Sequence, residues 1–182
     1  MQYINHYHSP LGGITLASNG KALTGLWFDG QFYFGDTLSG PFEKKNLPVF
    51  QEACKWLDLY FSGTNPGFTP PIFMCDTPFR KIVWEILLEI PFGKTITYGG
   101  IAERIAKEKG IIKMSAQAVG RAVGHNPISL IVPCHRVVGS NGSLTGYAGG
   151  MDKKMQLLIL ENADVSGFFI PNKTEQKIFK AL

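Results

Sequence analysis

The chain has 182 residues and a mass of 20.1 kDa, with 45% hydrophobic and 18% charged residues, enough apolar material for a core and too little charge for disorder. Its net charge of +4 is too small to name a partner, but it is unevenly placed: residues 1–76 hold four basic and six acidic side chains, residues 77–162 eleven and six. No apolar run reaches bilayer length, Met1-Gln2-Tyr3-Ile4-Asn5-His6 lacks the form of a signal peptide, and three cysteines without a Cys-x-x-Cys pair exclude a disulfide framework or zinc ribbon.

The expectation is a cytoplasmic, thiol-reduced protein, nuclear if its source is eukaryotic. Residues 12–20 and 23–30 alternate apolar and polar side chains between glycines and predict an antiparallel hairpin. Ala53, Trp56, Leu57 and Tyr60 have helical spacing, and Ser62–Gly67 followed by Pro70-Pro71 reads as a helix stop and extended linker. A domain boundary near residue 76 divides the chain into 1–76 and 77–182. His6 and His8 share one strand face, but no third ligand stands at a convincing spacing, so no metal and no cofactor are expected.

The second part opens with Thr77 as N-cap and Pro78 at the first helical position, followed by Phe79, Ile82, Val83, Ile86, Leu87 and Ile90 on one face. Thr97 caps a short helix carrying Ile101, Ala102, Ile105 and Ala106, and Ser115 caps another over Ala116–Val123. Two short helices across the basic stretch Lys107–Lys113 suggest a helix-turn-helix; ordinary helix packing is the alternative. Ile128–Val132 reads as a buried strand, and Asn141-Gly142 as a type I′ turn in a wing. A phosphate cradle is the rival for residues 139–150, although the glycine spacing fits neither Gly-x-Gly-x-x-Gly nor a P-loop with its Lys-Ser/Thr. A last helix, Asp152–Glu161, is expected to turn Met155, Leu158 and Ile159 inward and Lys153, Lys154 and Gln156 outward, with Phe168-Phe169-Ile170 packing back.

Cys134, in Pro133-Cys134-His135-Arg136, reads either as a small buried hydrophobe or as a nucleophile. Pro133 breaks a strand ladder, and His135 and Arg136 bring positive charge that favours thiolate. Sequence neighbours on an extended strand point to opposite faces, so a Cys134–His135 relay needs a turn at Pro133 or an intervening water. The imidazole needs a partner, for which Glu161 is the nearest acid on a helix; a solvated glutamate is the alternative. Cys54 and Cys75 are expected to pack in the interior.

Pro133-Cys134-His135-Arg136-Val137, with Gly124-His125-Asn126-Pro127 before it and Thr145-Gly146-Tyr147-Ala148-Gly149-Gly150 after it, strongly resembles the O6-alkylguanine-DNA alkyltransferases. Pro91–Tyr98, Leu157–Glu161 and Ser9-Pro10-Leu11-Gly12 extend the resemblance over essentially the whole chain. It implies an α+β protein: a ribonuclease H-like α/β scaffold, then a winged helix-turn-helix domain with the active site. It further implies a monomeric, single-use DNA-repair enzyme that moves the alkyl group of O6-alkylguanine, and of O4-alkylthymine, onto Cys134. Double-stranded DNA would be bound without sequence preference. By the same resemblance His135 accepts the thiol proton through water, Glu161 holds His135, Asn126 braces the cysteine, and Tyr98 protonates the departing guanine. Val137, Tyr147 and Ala148 line the base pocket; Ser115, Ala116, Gln117, Arg121, Arg136 and Ser140 contact DNA. Gln117 stands where many members have arginine, Ala148 where some have serine, and Gln156 where many have tryptophan. No regulatory domain is expected, hence no role as a transcription factor. A non-catalytic lesion sensor would lack the cysteine, and a Cys-His hydrolase would need a separate histidine and an oxyanion hole.

Overall fold

The computed structural model describes residues 1–171. It divides into two compact units: Met1–Asp76 with Pro127–Val132, and Thr77–Asn126 with the chain from Pro133 onward. Residues 172–182 of the expected second domain lie outside the described residues.

The first unit is built on β1 (Gln2–Ser9), β2 (Gly12–Ser18), β3 (Leu23–Phe28) and the short β4 (Phe42–Lys44), in the order β3-β2-β1-β4. The β2–β3 hairpin is antiparallel as expected, while β4 runs parallel to β1. All of β3 and Ile14–Ser18 of β2 are buried, so both sheet faces are covered despite the alternating sequence. Helix α1 (Pro48–Phe61) lies on the face that carries Tyr7, whose hydroxyl donates to Asp58 at 2.8 Å and whose ring stacks on Phe61. Ile4, Ala17 and Trp27 form a cluster on the opposite face.

Pro127–Val132 belongs to this first unit and is not a strand. Only Ile128 bridges β3, beside Leu26 N–H to Pro127 O and Ser129 N–H to Leu26 O; the rest is a turn closed by Val132 N–H to Ile128 O at 3.0 Å. A short buried apolar run carries no periodicity that separates strand from turn, which is why the sequence misleads here. Cys54 is half-buried and Cys75 exposed, so the expectation of two interior thiols fails for Cys75.

In the second unit the three predicted caps are made: Thr77, Thr97 and Ser115 each accept from the backbone N–H three residues on. They begin α2 (Pro78–Leu88), α3 (Tyr98–Lys109) and α4 (Ala116–Gly124). Helices α3 and α4 form the expected helix-turn-helix pair, with Ile101, Ile105, Val119 and Val123 buried. The inward face of α2 is completed by Trp84, whose indole N–H donates to the Ala122 carbonyl of α4 at 2.8 Å. Two-residue strands β5 (Ile96–Thr97) and β6 (Val137–Val138) pair in parallel.

The wing differs from the expected type I′ turn. Asn141 has no positive φ; instead Gly142 N–H donates to Gly139 O, Gly142 sits at φ +86°, and Gly139 N–H closes on Ser143 O. This is a three-residue loop whose glycine occupies the left-handed position. Its partner is the C-terminal segment: Ser143 bridges Phe169, and Phe168 packs on Val138, Leu144 and Leu158. Helix α5 (Met151–Leu160) buries Lys154, Leu157 and Leu158 but exposes Ile159, reversing two expected orientations. Trp84→Phe, which keeps most of the apolar volume but orphans the Ala122 carbonyl, is expected to lower unfolding free energy by about 1–3 kcal/mol in urea denaturation.

Candidate active site

The site lies in the second unit. After Pro133 the chain makes a single 3-10 turn, Cys134–Arg136, whose closing bond is Arg136 N–H to Pro133 O at 3.0 Å. This turn, and not an extended strand, lets neighbouring side chains share one buried environment. Cys134, His135 and Arg136 are all buried. The Asn126 side chain and the backbone N–H groups of Cys134 and His135 act on the sulfur in the direction that favours thiolate.

His135 has no exposed surface, and its Nε2 lies 2.6 Å from Glu161 Oε1. Glu161, the C-cap of α5, is itself buried and also accepts from Arg136 Nε (2.8 Å), Arg136 Nη2 (3.0 Å) and Gly93 N–H (3.0 Å). The alternative of a solvated glutamate is thereby excluded. Arg136 also donates to the Ile90 carbonyl and lies over the Phe92 ring. Gly93 has φ +72°, and a side chain there would strike the Glu161 carbonyl, so the turn after α2 requires glycine.

Burial opposes Glu161 ionisation, but His135 and Arg136 outweigh it and hold the carboxyl well below its ordinary range. An ionised Glu161 can only accept, so His135 carries its proton on Nε2 and presents the basic lone pair on Nδ1. Desolvation pushes the His135 pKa down despite Glu161, so the imidazole rests neutral. Desolvation likewise pushes the Cys134 thiol up, more than its hydrogen bonds lower it. The resting pair is thiol and imidazole.

Arg136 departs from the sequence expectation of a surface cation: its guanidinium is buried and committed to Glu161 and the Ile90 carbonyl. Lys154 is the residue that the sequence reading missed. It has no exposed surface, donates from Nζ to the Thr145 carbonyl at 2.8 Å and lies 5.8 Å from the Tyr98 ring centroid. Desolvation lowers its pKa to about 7. Lys154, Leu157, Leu158 and Glu161 stand at i, i+3, i+4 and i+7, a one-face pattern that was present in the sequence. Tyr98 donates to the same Thr145 carbonyl at 2.8 Å, and burial pushes its phenol pKa up. Val137 and Tyr147 are buried and Ala148 half-buried; the Tyr147 ring meets His135 edge-on.

Ser115, Ala116, Gln117 and Arg121 are exposed along one end and face of α4, and Ser140 is exposed on the wing. A cleft of about 280 Å³ runs beside α4, lined in part by Ser115, Gln117 and Arg121. Among the described residues no three His, Cys, Asp or Glu side chains form a metal-binding group, and no helix is long and apolar enough to cross a membrane.

A buried cysteine backed by a histidine–carboxylate pair, beside a helix-turn-helix, defines a thiol-transfer protein with a DNA-binding architecture. Residues 78–163 match the family described as 6-O-methylguanine DNA methyltransferase, DNA binding domain, and residues 3–72 its ribonuclease-like domain. The methylated-DNA–protein-cysteine methyltransferase of Mycobacterium leprae is 41% identical over 86% of this chain and 90% of its own. That of Methanosarcina barkeri is 43% identical over 87% and 96%. The crystal structure of Mycobacterium tuberculosis OGT in complex with DNA matches with a TM-score of 0.76 and 40% identity, covering 88% of this chain and 92% of that one. The chain belongs to the methylated-DNA–protein-cysteine methyltransferase family, with the α+β fold that the sequence predicts.

Glu161 and His135 give acid sensitivity of one sign. Both have folded-state pKa values below their ordinary 4.5 and 6.5, so the unfolded chain binds more protons and stability falls as pH falls below each ordinary value. Glu161→Gln is expected to flatten the stability loss below pH 4.5. It also leaves the Arg136 charge buried without its partner, at a cost of about 3–5 kcal/mol in urea denaturation at neutral pH.

Proposed function

We propose that this protein is a single-turnover DNA-repair alkyltransferase that takes the alkyl group from O6-alkylguanine, and from O4-alkylthymine, onto Cys134. The observation that carries this reading is the linked set Asn126–Cys134 and His135–Glu161–Arg136 gathered on the buried Cys134–Arg136 turn. The thiol proton passes through a water to His135 Nδ1, and Glu161 stabilises the imidazolium that forms. The sulfur attacks the alkyl carbon, a C–S bond forms as the C–O6 bond breaks, and the electron pair leaves on the guanine. Tyr98 supplies a proton to that leaving base. Lys154 keeps a donor on the Thr145 carbonyl when the Tyr98 hydroxyl turns to substrate, which spares a buried acceptor from being orphaned. The product thioether resists hydrolysis, so one molecule repairs one lesion.

A base stacked in duplex DNA cannot reach a buried sulfur, so the target nucleotide must be rotated out, at a cost of a few kcal/mol. Val137, Tyr147 and Ala148 line the pocket that receives it. Ser115, Ala116, Gln117 and Arg121 of α4, with Ser140, contact the duplex, largely through its backbone and thus without sequence preference. In this reading residues 1–76, joined by Pro127–Val132, are the scaffold, the rest of residues 77–182 carries DNA binding and chemistry, and the protein acts as a cytoplasmic monomer.

Incubation with a duplex containing O6-methylguanine is expected to add one methylene to the intact mass, located on Cys134 by peptide mapping. Cys134→Ser is expected to bind the duplex and gain no mass. Turnover beyond one equivalent, or alkylation of Cys54 or Cys75 instead, would sink the mechanism. Gln117→Arg adds a cation at the exposed face of α4 and is expected to steepen the log-affinity against log-salt slope by about 1 unit; an unchanged slope would remove this position from the interface.

A further inference from the structure

Helix α3 ends at Lys109, Gly110 caps it, and Ser115 begins the next capped helix, so residues 110–114 form the turn between the two. The apolar side chains of these helices are otherwise inward: Ile101, Ala102, Ile105, Ala106, Val119, Ala122 and Val123 are all buried. The turn breaks that rule. Ile112 is fully exposed, with a relative exposure of 106%, and the adjacent Ile111 stands at 43%. Ile112 contributes to no core, and a short turn needs no β-branched residue at that place.

Around this apolar tip the surface is cationic. Lys107, Lys109 and Lys113 are all exposed. The one acidic residue among them, Glu108, is engaged by Arg104 at 2.8 Å, and Arg104 also pairs with Glu89. The stretch runs directly into Ser115, Ala116 and Gln117, the exposed N-terminal end of α4. Two isoleucines are too small a patch for a stable protein interface, which buries a far larger area. An apolar tip between cations does fit a DNA groove, whose walls carry phosphates and whose floor offers sugars and base edges. Apolar wedges inserted in this way are a recurrent means of opening base steps.

We propose that the α3–α4 turn is a second DNA-contacting element, in which Ile112 enters the groove while Lys109 and Lys113 hold the phosphates on either side. This rests on the reading of DNA as the partner and extends the interface beyond α4. It also gives the chain an apolar means of loosening base stacking near the lesion.

The test is a binding titration with an unmodified duplex, followed by fluorescence anisotropy, on the full chain. Ile112→Ser is expected to weaken binding about tenfold with an unchanged melting temperature, and Ile112→Leu to restore it. Replacing Lys109 and Lys113 together by glutamine is expected to reduce the log-affinity against log-salt slope by about 2. An Ile112→Ser protein that binds the duplex like the parent overturns the proposal, including the case in which it loses self-association and so reveals a protein partner. Failure of the parent chain to bind any duplex overturns the DNA reading itself, an outcome distinct from the first.

Discussion

The second unit depends on one buried carboxylate. Glu161 accepts from an imidazole, two guanidinium nitrogens and a backbone N–H, donated by the Cys134–Arg136 turn and by Gly93 after α2. A carboxylate removed from water carries a large desolvation cost, offset only when its lone pairs are nearly all occupied. Here they are, and the occupants come from two segments besides its own. The end of α5, the turn after α2 and the nucleophile turn are therefore fixed by a single group. That group sits one turn beyond Leu157 and Leu158, so the packing of α5 sets the position of the histidine.

The same burial decides the resting chemistry. Removing Cys134 and His135 from water disfavours thiolate and imidazolium alike, and both groups rest neutral. Many thiol enzymes instead keep a standing thiolate, which oxidants and stray electrophiles reach as easily as substrate. A protein used once gains from the opposite arrangement. In the proposed mechanism its sulfur becomes a strong nucleophile only as the proton leaves for His135, and Glu161 makes that transfer possible by stabilising the charge it creates. Asn126 and the two backbone N–H groups favour the developing thiolate without producing it in advance.

How much of this was legible in the sequence varies by element. The three caps at Thr77, Thr97 and Ser115 were readable because each is a local hydrogen bond between residues three apart. The hairpin β2–β3 was readable from alternation and glycine punctuation. Ile128–Val132 was not, because a short apolar run has no period of its own and its one bridge to the sheet, at Ile128, is a long-range contact with Leu26. Arg136 and Lys154 were misplaced for a shared reason: an isolated cation reads as surface unless its buried partner is known. For Arg136 that partner is 25 residues away, and for Lys154 it is the backbone carbonyl of Thr145. The Lys154-Leu157-Leu158-Glu161 stripe nonetheless announced an inward lysine, and the charge of its side chain outweighed the pattern.

The charge asymmetry between the two parts of the chain takes on a different meaning once these partners are known. The excess of basic residues over 77–162 does not all face a polyanion. Arg136 is consumed by Glu161, Lys154 is desolvated on Thr145, and Arg104 bridges Glu89 and Glu108. Exposed cations that remain at the helix-turn-helix are concentrated on Lys107, Lys109 and Lys113, immediately before α4. Net charge counted along the sequence therefore overstates the breadth of the electrostatic surface and understates its focus. A focused cluster orients as well as attracts: it favours approaches that bring the end of α4 against the phosphates. Within that cluster the exposed Ile112 has a reason to exist, because cations bring the duplex near while only an apolar side chain gains from displacing water in a groove.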